Sequence, residues 1–367
     1  MANILSVEWQ LFGHHPSFMR MVSKALLSAG HQLTLAVPDV NKAKSLIGNL
    51  ENKVQWVTLQ SRPGDPKQQW AEVHSFLQHG QGDHIFFNGM DEILPKSLRR
   101  AAFGWTPPQE LKGKVHGIFI RPRCLDPQIN TFKNGWKRMG WKKLSDKNFF
   151  GHVFILDEIL ARNKSLSPSI HWLPDPWEEP LKENPISSKK YWNLPTDKKI
   201  FLFYGTGNRR KGLDLLLETF ESDLPESLHL FCVGAINPED RILKRMNQLK
   251  ASGRLTFQDR YISVHEEKLA FSACDVVVLP YRSHYGSSGL LPRAAQAMKP
   301  VISSDYGLLG QRVRDHGLGH VFKNEDPEDL TRKLRSEMEE HSSNLENFSE
   351  KNSPEAFLHI LSQTLQL

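Results

Sequence analysis

The strongest constraint on this chain is a pattern that runs through it twice: short runs apolar at successive positions, each followed by a polar turn and a stretch of helical periodicity. In the front half the runs are Ile4–Val7, Leu33–Val37, Val54–Leu59, Ile85–Phe87, Val115–Ile120, Val153–Leu156 and Ile170–Leu173. A strand with no polar side must be covered on both faces, the situation of a parallel sheet flanked by crossover helices. After the first run, Phe18, Met21, Val22 and Ala25 recur at i, i+3, i+4 and i+7 on one helical face, and Gly30 follows as a C-terminal glycine. From Glu178 to Lys199 the pattern gives way to polar residues and prolines. It then restarts with strands at Ile200–Tyr204, Leu228–Val233, Leu255–Phe257, Val276–Leu279 and Val301–Ser303, and helices at Leu213–Phe220, near Ile242–Leu249 and at Leu290–Met298. Ser263 and Glu266 have the spacing of a capping box, which predicts a helix running to about Ser272.

Two doubly wound, Rossmann-like α/β domains are therefore predicted, over 1–178 and 200–350, joined by a linker at 179–199 and facing one another across a cleft. The serine-rich acidic stretch Ser336–Glu350 reads as helical or mobile, and 351–367 as a C-terminal helix able to pack back on the front domain. Three scattered cysteines, Cys124, Cys232 and Cys274, neither form a disulfide framework nor show metal-ligand spacing, which predicts a reducing compartment. No apolar run approaches the ~20 residues of a membrane span, and the amino end lacks a signal-peptide pattern. A cytoplasmic protein is expected. Charge is uneven: residues 1–178 hold 22 Lys+Arg against 15 Asp+Glu, whereas the remainder is nearly balanced. A basic front half suits either an anionic partner or a solvated surface.

Chemistry concentrates in two stretches of the back half. Phe201–Leu217 runs from a strand through Gly205-Thr206-Gly207-Asn208-Arg209-Arg210-Lys211-Gly212 into a helix. Three consecutive cations at a helix start oppose the helix dipole, and a bound anion would relieve the conflict by meeting cations and amides together. The second stretch runs from Asp275 through Pro280 to Ala294 and sets Gly286-Ser287-Ser288-Gly289 directly before a helix, where backbone amides can form an anion nest. The two turns together suggest a diphosphate held from two sides. Gly205-Thr206-Gly207 lacks the third glycine of a dinucleotide fingerprint, and no zinc, calcium or haem ligand pattern appears.

On these residues the back half resembles glycosyltransferase family four, nucleotide-sugar-dependent enzymes of GT-B fold. Lys211-Gly212-Leu213-Asp214 is similar to their donor phosphate loop. Asp275–Pro280, Ala294–Ala297 with Lys299–Gly307, and Asp326–Leu330 follow the family's order over roughly 200–335. The front half is similar more loosely, through Gly13-His14-His15 and Gly30-His31. The resemblance implies a retaining, hexosyltransferase-type enzyme that needs no cofactor or metal and uses a nucleotide-diphosphate sugar as co-substrate. It implies donor-diphosphate contact by Lys211, with Arg209 or Arg210 standing in for a family arginine whose place is taken by Thr206 after Gly205. It further implies backbone near Tyr261-Ile262 facing the nucleobase, and Gly286, Ser287, Ser288 and Gly289 covering the phosphates. The sequence departs from the family where two glutamates are expected: Arg293 stands at the second position and about Tyr285 at the first. A guanidinium donates hydrogen bonds where a carboxylate accepts them. Arg293 remains a candidate donor-site residue, and either the donor sits differently or catalysis is lost; the alternative is a catalytically altered or inactive nucleotide-sugar-binding protein of the same fold.

In the front half, Gly13, His14 and His15 follow the first strand and are candidates for an acceptor sugar, lipid or glycan. Arg121 lies near the place of a front-half family histidine and is a candidate catalytic cation, with Arg123 beside it. Asp175, between two prolines, reads as a rigid turn near the domain junction. The segment Phe132–Phe150 interleaves six cations with Trp136, Trp141, Phe149 and Phe150. Basic and aromatic residues together mark either peripheral contact at the inner face of a membrane or a solvated helix whose aromatics pack inward. Nucleic acid is not an expected partner.

Overall fold

The structure, a computed structural model, describes every residue except 14, 128, 164, 168, 179, 180, 182 and 337–341. The chain divides into two compact units, one formed by Met1–Pro174 with Pro354–Leu367 and the other by Asp175–Ser353.

The front unit alternates β1 (Asn3–Val7), α1 (His15–Ser28), β2 (Gln32–Val37), α2 (Val40–Ile47), β3 (Gln55–Thr58), α3 (Pro66–Gln78) and β4 (His84–Phe87). It continues with α4 (Leu94–Ala102), β5 (Val115–Phe119), α5 (Phe132–Ser145), β6 (Phe150–Ile155), α6 (Glu158–Arg162) and β7 (Ile170–Trp172). All seven strands are parallel, in the order β3-β2-β1-β4-β5-β6-β7. The largely apolar character of the strands is explained by cores on both faces: Leu5 and Val7 enter one, Ile4 the other. Aspartates cap α2, α3 and α6; Asp39 accepts from the Lys42 amide at 3.0 Å, and Asp157 from the Leu160 amide at 2.9 Å.

A polar seam crosses this sheet. His84, His116, His152 and His171 sit on four adjacent strands. His116 Nδ1 accepts from the His152 amide at 3.0 Å, so its Nε2–H is left to donate to His84 Nδ1 at 3.1 Å. His152 Nδ1 lies 2.9 Å from His171 Nε2. The imidazoles are strung along the sheet rather than converging on a point. Gly151 makes room, since a Cβ there would overlap the His116 ring.

The back unit holds α7 (Pro185–Tyr191), β8 (Lys199–Tyr204), α8 (Leu213–Glu221), β9 (Leu228–Gly234), α9 (Asp240–Ala251), β10 (Leu255–Asp259), α10 (Val264–Ala273) and β11 (Val276–Leu279). It ends with α11 (Leu290–Gln296), β12 (Val301–Ser304), α12 (Gly307–Asp315), β13 (Gly319–Phe322), α13 (Pro327–Arg335) and α14 (Ser342–Lys351). Its six strands are parallel in the order β10-β9-β8-β11-β12-β13, the same winding as in the front unit. Ile200 and Leu202 face one core, Phe201 and Phe203 the other. Ser263 and Glu266 form the capping box reciprocally at the start of α10.

The structure differs from the sequence reading in two places. The stretch 179–199, read as a linker, carries α7 packed against α10, with Leu181, Trp192 and Leu194 in the core of the back unit. The helix expected to reach Met298 ends at Gln296, and Met298 takes a φ of +58°. The last helix, α15 (Pro354–Thr364), packs on α1, where Phe357 meets Phe18 at 5.8 Å between ring centroids. His31 Nδ1 accepts from the Ala2 amide, which leaves Nε2–H to donate to the Leu365 carbonyl at 2.8 Å.

Candidate functional site

In a doubly wound sheet, ligands bind outside the carboxyl ends of the strands where the strand order reverses. In the back unit that point lies between β8 and β11. Each of these strands runs into one of the two turns singled out above.

After β8, Gly205 takes a φ of +107°, and the Lys211 ammonium lies over it; a Cβ at Gly205 would come within 3.1 Å of Nζ. Asn208 accepts from the Lys211 amide at 3.0 Å and closes Arg209–Lys211 into a single 3-10 turn ahead of α8. Gly212, at φ +72°, joins this turn to the helix, and a side chain there would overlap the Pro280 carbonyl at the end of β11. The Arg282 amide donates to the Arg210 carbonyl at 2.9 Å, and the Arg282 guanidinium pairs with Asp214 in the first turn of α8, also at 2.9 Å. The two turns are thus fastened by backbone contact.

Their side chains meet as well. Lys211 Nζ lies 5.1 Å from the centre of the Tyr281 ring, and the Arg210 guanidinium lies 6.0 Å from it. Arg210 Nη1 donates to His284 Nδ1 at 3.0 Å, since arginine can only donate; His284 Nε2–H is left to reach the Ser287 carbonyl at 3.2 Å. His284 is therefore a neutral imidazole that links the cationic turn to the Gly286–Gly289 turn. Among the described residues, none of the four amides from Gly286 to Gly289 donates to another protein group. Ser287 Oγ donates to Asp175 Oδ2 at 2.7 Å, so Asp175 orients this turn. Arg209 is exposed, as are Thr206 and Tyr261, the last at 89%; Ile262 is half-buried against the core.

Arg293 does not line this cradle as a free donor. Its Nε lies 3.0 Å from Glu267 Oε1, and its guanidinium stacks 3.6 Å from the centre of the Trp177 ring. Burial raises the Glu267 carboxyl, while Arg293 and the Tyr204 hydroxyl oppose the rise. Arg293 thus serves as an internal counter-ion on α11, with Nη1 close to Gly289. The physical reason is local: Glu267 is 4% exposed and needs a partner.

The front unit has its own switch point between β1 and β4. Gly13 is in a turn at φ +64°, and His14 lies outside the described residues. His15 Nδ1 sits 3.0 Å from Glu8 Oε2, and Glu8, directly after β1, is 1% exposed. Burial lowers the His15 pKa, but the hydrogen bond and charge of Glu8, with Glu92 and Asp91, outweigh it and raise the ring above its usual range. Arg121 is exposed; its amide and that of Ile120 donate to Asp91 at 3.0 and 2.8 Å. Burial pushes the Asp91 carboxyl up to about 6, against the pull of those amides and Arg121. Sequence reading missed Glu8 and Asp91 here, and Asn208, Tyr281 and His284 in the back unit. Each stands just past a strand of a switch point, a signal that exists only once strand order is known.

Among the described residues no group of three or more His, Cys, Asp or Glu is placed to hold a metal, and no helix is long and apolar enough to cross a membrane. The three cysteines are buried and unpaired.

Two parallel Rossmann-like units in one chain define the GT-B class, and the fold matches solved members of it. HepE from Anabaena, crystallised with UDP, superposes with a TM-score of 0.70 at 13% identity over 99% of each chain. Sucrose-phosphate synthase from Thermosynechococcus elongatus gives 0.68 at 16% identity over 98% of this chain and 97% of that one. A glycosyltransferase from Rickettsia africae gives 0.68 at 14% identity over 99% and 98%. Residues 186–353 match the family model of glycosyl transferases group 1, and the solved neighbours match the chain in fold. No curated protein sequence matches the chain.

Proposed function

We propose that this protein is a retaining glycosyltransferase of hexosyltransferase type, similar to family four, moving a sugar from a nucleotide-diphosphate sugar to an acceptor. The observation that carries this reading is the cradle between β8 and β11, with Lys211 and Arg210 held on Tyr281 and His284 beside four unpaired amides. The group 1 match spans this cradle, and HepE is a fold neighbour crystallised with UDP-glucose. As the glycosidic bond breaks, negative charge grows on the leaving diphosphate. Lys211, Arg209 or Arg210 and the amides of Gly286–Gly289 would meet that charge already oriented, and such donors are worth roughly 3–4 kcal/mol each in a transition state. Neutral His284 contributes by fixing Arg210 without adding a charge. The exposed Tyr261 and the neighbouring Ile262 backbone are assigned to the nucleobase, and Gly205 and Thr206 to the edge of the donor site. The acceptor is assigned to the front unit, at Gly13, His14, His15 and Arg121, where Glu8 keeps His15 able to hold a proton.

Lys211→Ala tests the reading. Turnover should fall by about 100-fold or more, because one preorganised donor is removed from the leaving group. Wild-type rates would reject the role of Lys211.

A second reading, donor binding without transfer, rests on one feature. Arg293 and about Tyr285 stand where the family resembled here has carboxylates, and Arg293 is paired with Glu267. Calorimetry with a nucleotide-sugar panel, run beside a donor-hydrolysis and transfer assay, separates the two. Tight binding with no turnover when acceptors are supplied favours the second.

A further inference from the structure

The basic aromatic segment 132–150 is split by the fold. Trp141, Phe149 and Phe150 are buried in the core of the front unit, where Trp141 stacks on Phe150 at 4.9 Å. Phe132 and Trp136 turn outward and are joined by Phe103 at the end of α4, with centroid distances of 5.2 Å for Phe132–Trp136 and 4.7 Å for Phe103–Trp136. Phe132 is 79% exposed and Phe103 68%. The two helices lie close because Gly140 of α5 rests on the Leu98 carbonyl of α4, where a Cβ would overlap it. That contact brings both sets of side chains onto one face.

The charge of the two helices is one-sided. α4 and α5 together carry eight Lys and Arg and no carboxylate. Some of the cations are used internally: Lys143 donates to the Ala102 carbonyl, Lys142 pairs with Asp146, and Arg138 donates to the Asp126 carbonyl. Arg99, Lys133 and Lys137 make no ion pair among the described residues. Arg99, Arg100 and Lys133 surround Phe103, Phe132 and Trp136 in a groove of about 690 Å³. Arg99 and Lys133 also line an adjoining hollow of about 480 Å³ with Lys96 and Lys137, where Asp91 and Glu92 offset part of the positive charge.

We propose that the α4–α5 face docks the protein on an anionic lipid surface. Phe103, Phe132 and Trp136 would enter the headgroup region, and Arg99, Arg100, Lys133 and Lys137 would meet lipid phosphates. Exposed phenylalanines have no hydrogen bonds to lose there, and an apolar body ringed by cations matches a bilayer interface. Nucleic acid fits less well, because base stacking needs open ring faces. Here the three aromatic rings pack on one another. The proposal is independent of the donor site, which lies in the other unit.

The test is co-sedimentation of the full chain with phosphatidylcholine vesicles, with and without phosphatidylglycerol. Binding is expected only with phosphatidylglycerol, and it should weaken as salt rises. Arg99→Gln with Lys133→Gln should lower partitioning about 25-fold, taking each cation at about fivefold. Phe103→Ser with Phe132→Ser should lower it at every salt concentration. All four sites are exposed, so unchanged melting temperature and donor affinity are expected to show that the variants fold. Equal binding to both vesicle types, no binding to either, or variants that bind like wild type would overturn the proposal. So would capture of a single-stranded oligonucleotide or an acidic protein at the same face with vesicles ignored.

Discussion

Lowering the pH from 7 to 5 should destabilise the front unit through the histidine seam, and His116 sets the magnitude. Its ring is 1% exposed, Nδ1 is committed to the His152 amide, and Nε2–H to His84. Protonation of Nδ1 would break the backbone bond and place a charge between two further imidazoles. Burial, reinforced by His152 and His84, pushes the His116 pKa down from 6.5 to about 3. Burial lowers His84 and His152 as well; Asp83 opposes this at His84, while Lys114, His31 and His152 add to it. The unfolded chain takes up a proton at this position near pH 6.5, whereas the folded chain does so only near 3. Stability is therefore complete above 6.5 and lost as pH falls toward 3. For His116 alone, linkage gives a loss of about 2 kcal/mol between pH 7 and 5. The raised pKa of His15 works in the opposite direction, since its contribution is present below 6.5 and lost as pH rises.

Urea unfolding at the two pH values measures this through tryptophan fluorescence, because Trp9, Trp70 and Trp141 are all in the front core. His116→Asn is the comparison: its Oδ1 can accept from the His152 amide, and it does not titrate. The variant should lose about 2 kcal/mol less than wild type across that interval. The difference between the two proteins cancels titrating groups remote from the seam, such as His229 in the back unit. Equal losses in the two would refute the argument, as would a wild type with the same stability at both pH values.

Gly212→Ala should cost more than about 1 kcal/mol, because its positive φ disfavours a side chain and the Pro280 carbonyl occupies the space. Donor affinity should fall with it, and a variant matching wild type in urea midpoint and calorimetric affinity would show that the two turns are not coupled here. Arg293→Met should destabilise the back unit by about 3 kcal/mol by leaving the buried Glu267 carboxyl without its cationic partner. Adding Glu267→Gln should restore most of that loss in urea unfolding. Loss of donor binding at unchanged stability would instead make Arg293 a ligand residue.

Much of the fold was legible because a strand covered on both faces is apolar at nearly every position: Val276–Leu279 is apolar throughout, and Leu33–Val37 and Leu228–Val233 are broken only by Thr34 and His229. β13 was not legible: Gly319-His320-Val321-Phe322 lies at a sheet edge, and only Phe322 is buried. α7 hid inside an apparent linker because Ser188 is its buried residue, while the apolar anchors Leu181, Trp192 and Leu194 flank the helix. The segment 132–150 showed helical spacing at Phe132, Trp136 and Met139, yet Phe103, which completes the exposed aromatic group, is nearly thirty residues away on another helix.

The candidate site divides in the same way. By itself the sequence determined that three cations crowd a helix start and that a glycine turn opens another, because both are statements about neighbours along the chain. Only tertiary structure decided that Arg210 reaches His284, that Lys211 lies over Tyr281, and that Arg293 pairs with Glu267. Parallel strands join through crossovers, so β8 and β11 become neighbours across two intervening strands, and residues some seventy positions apart share one electrostatic environment.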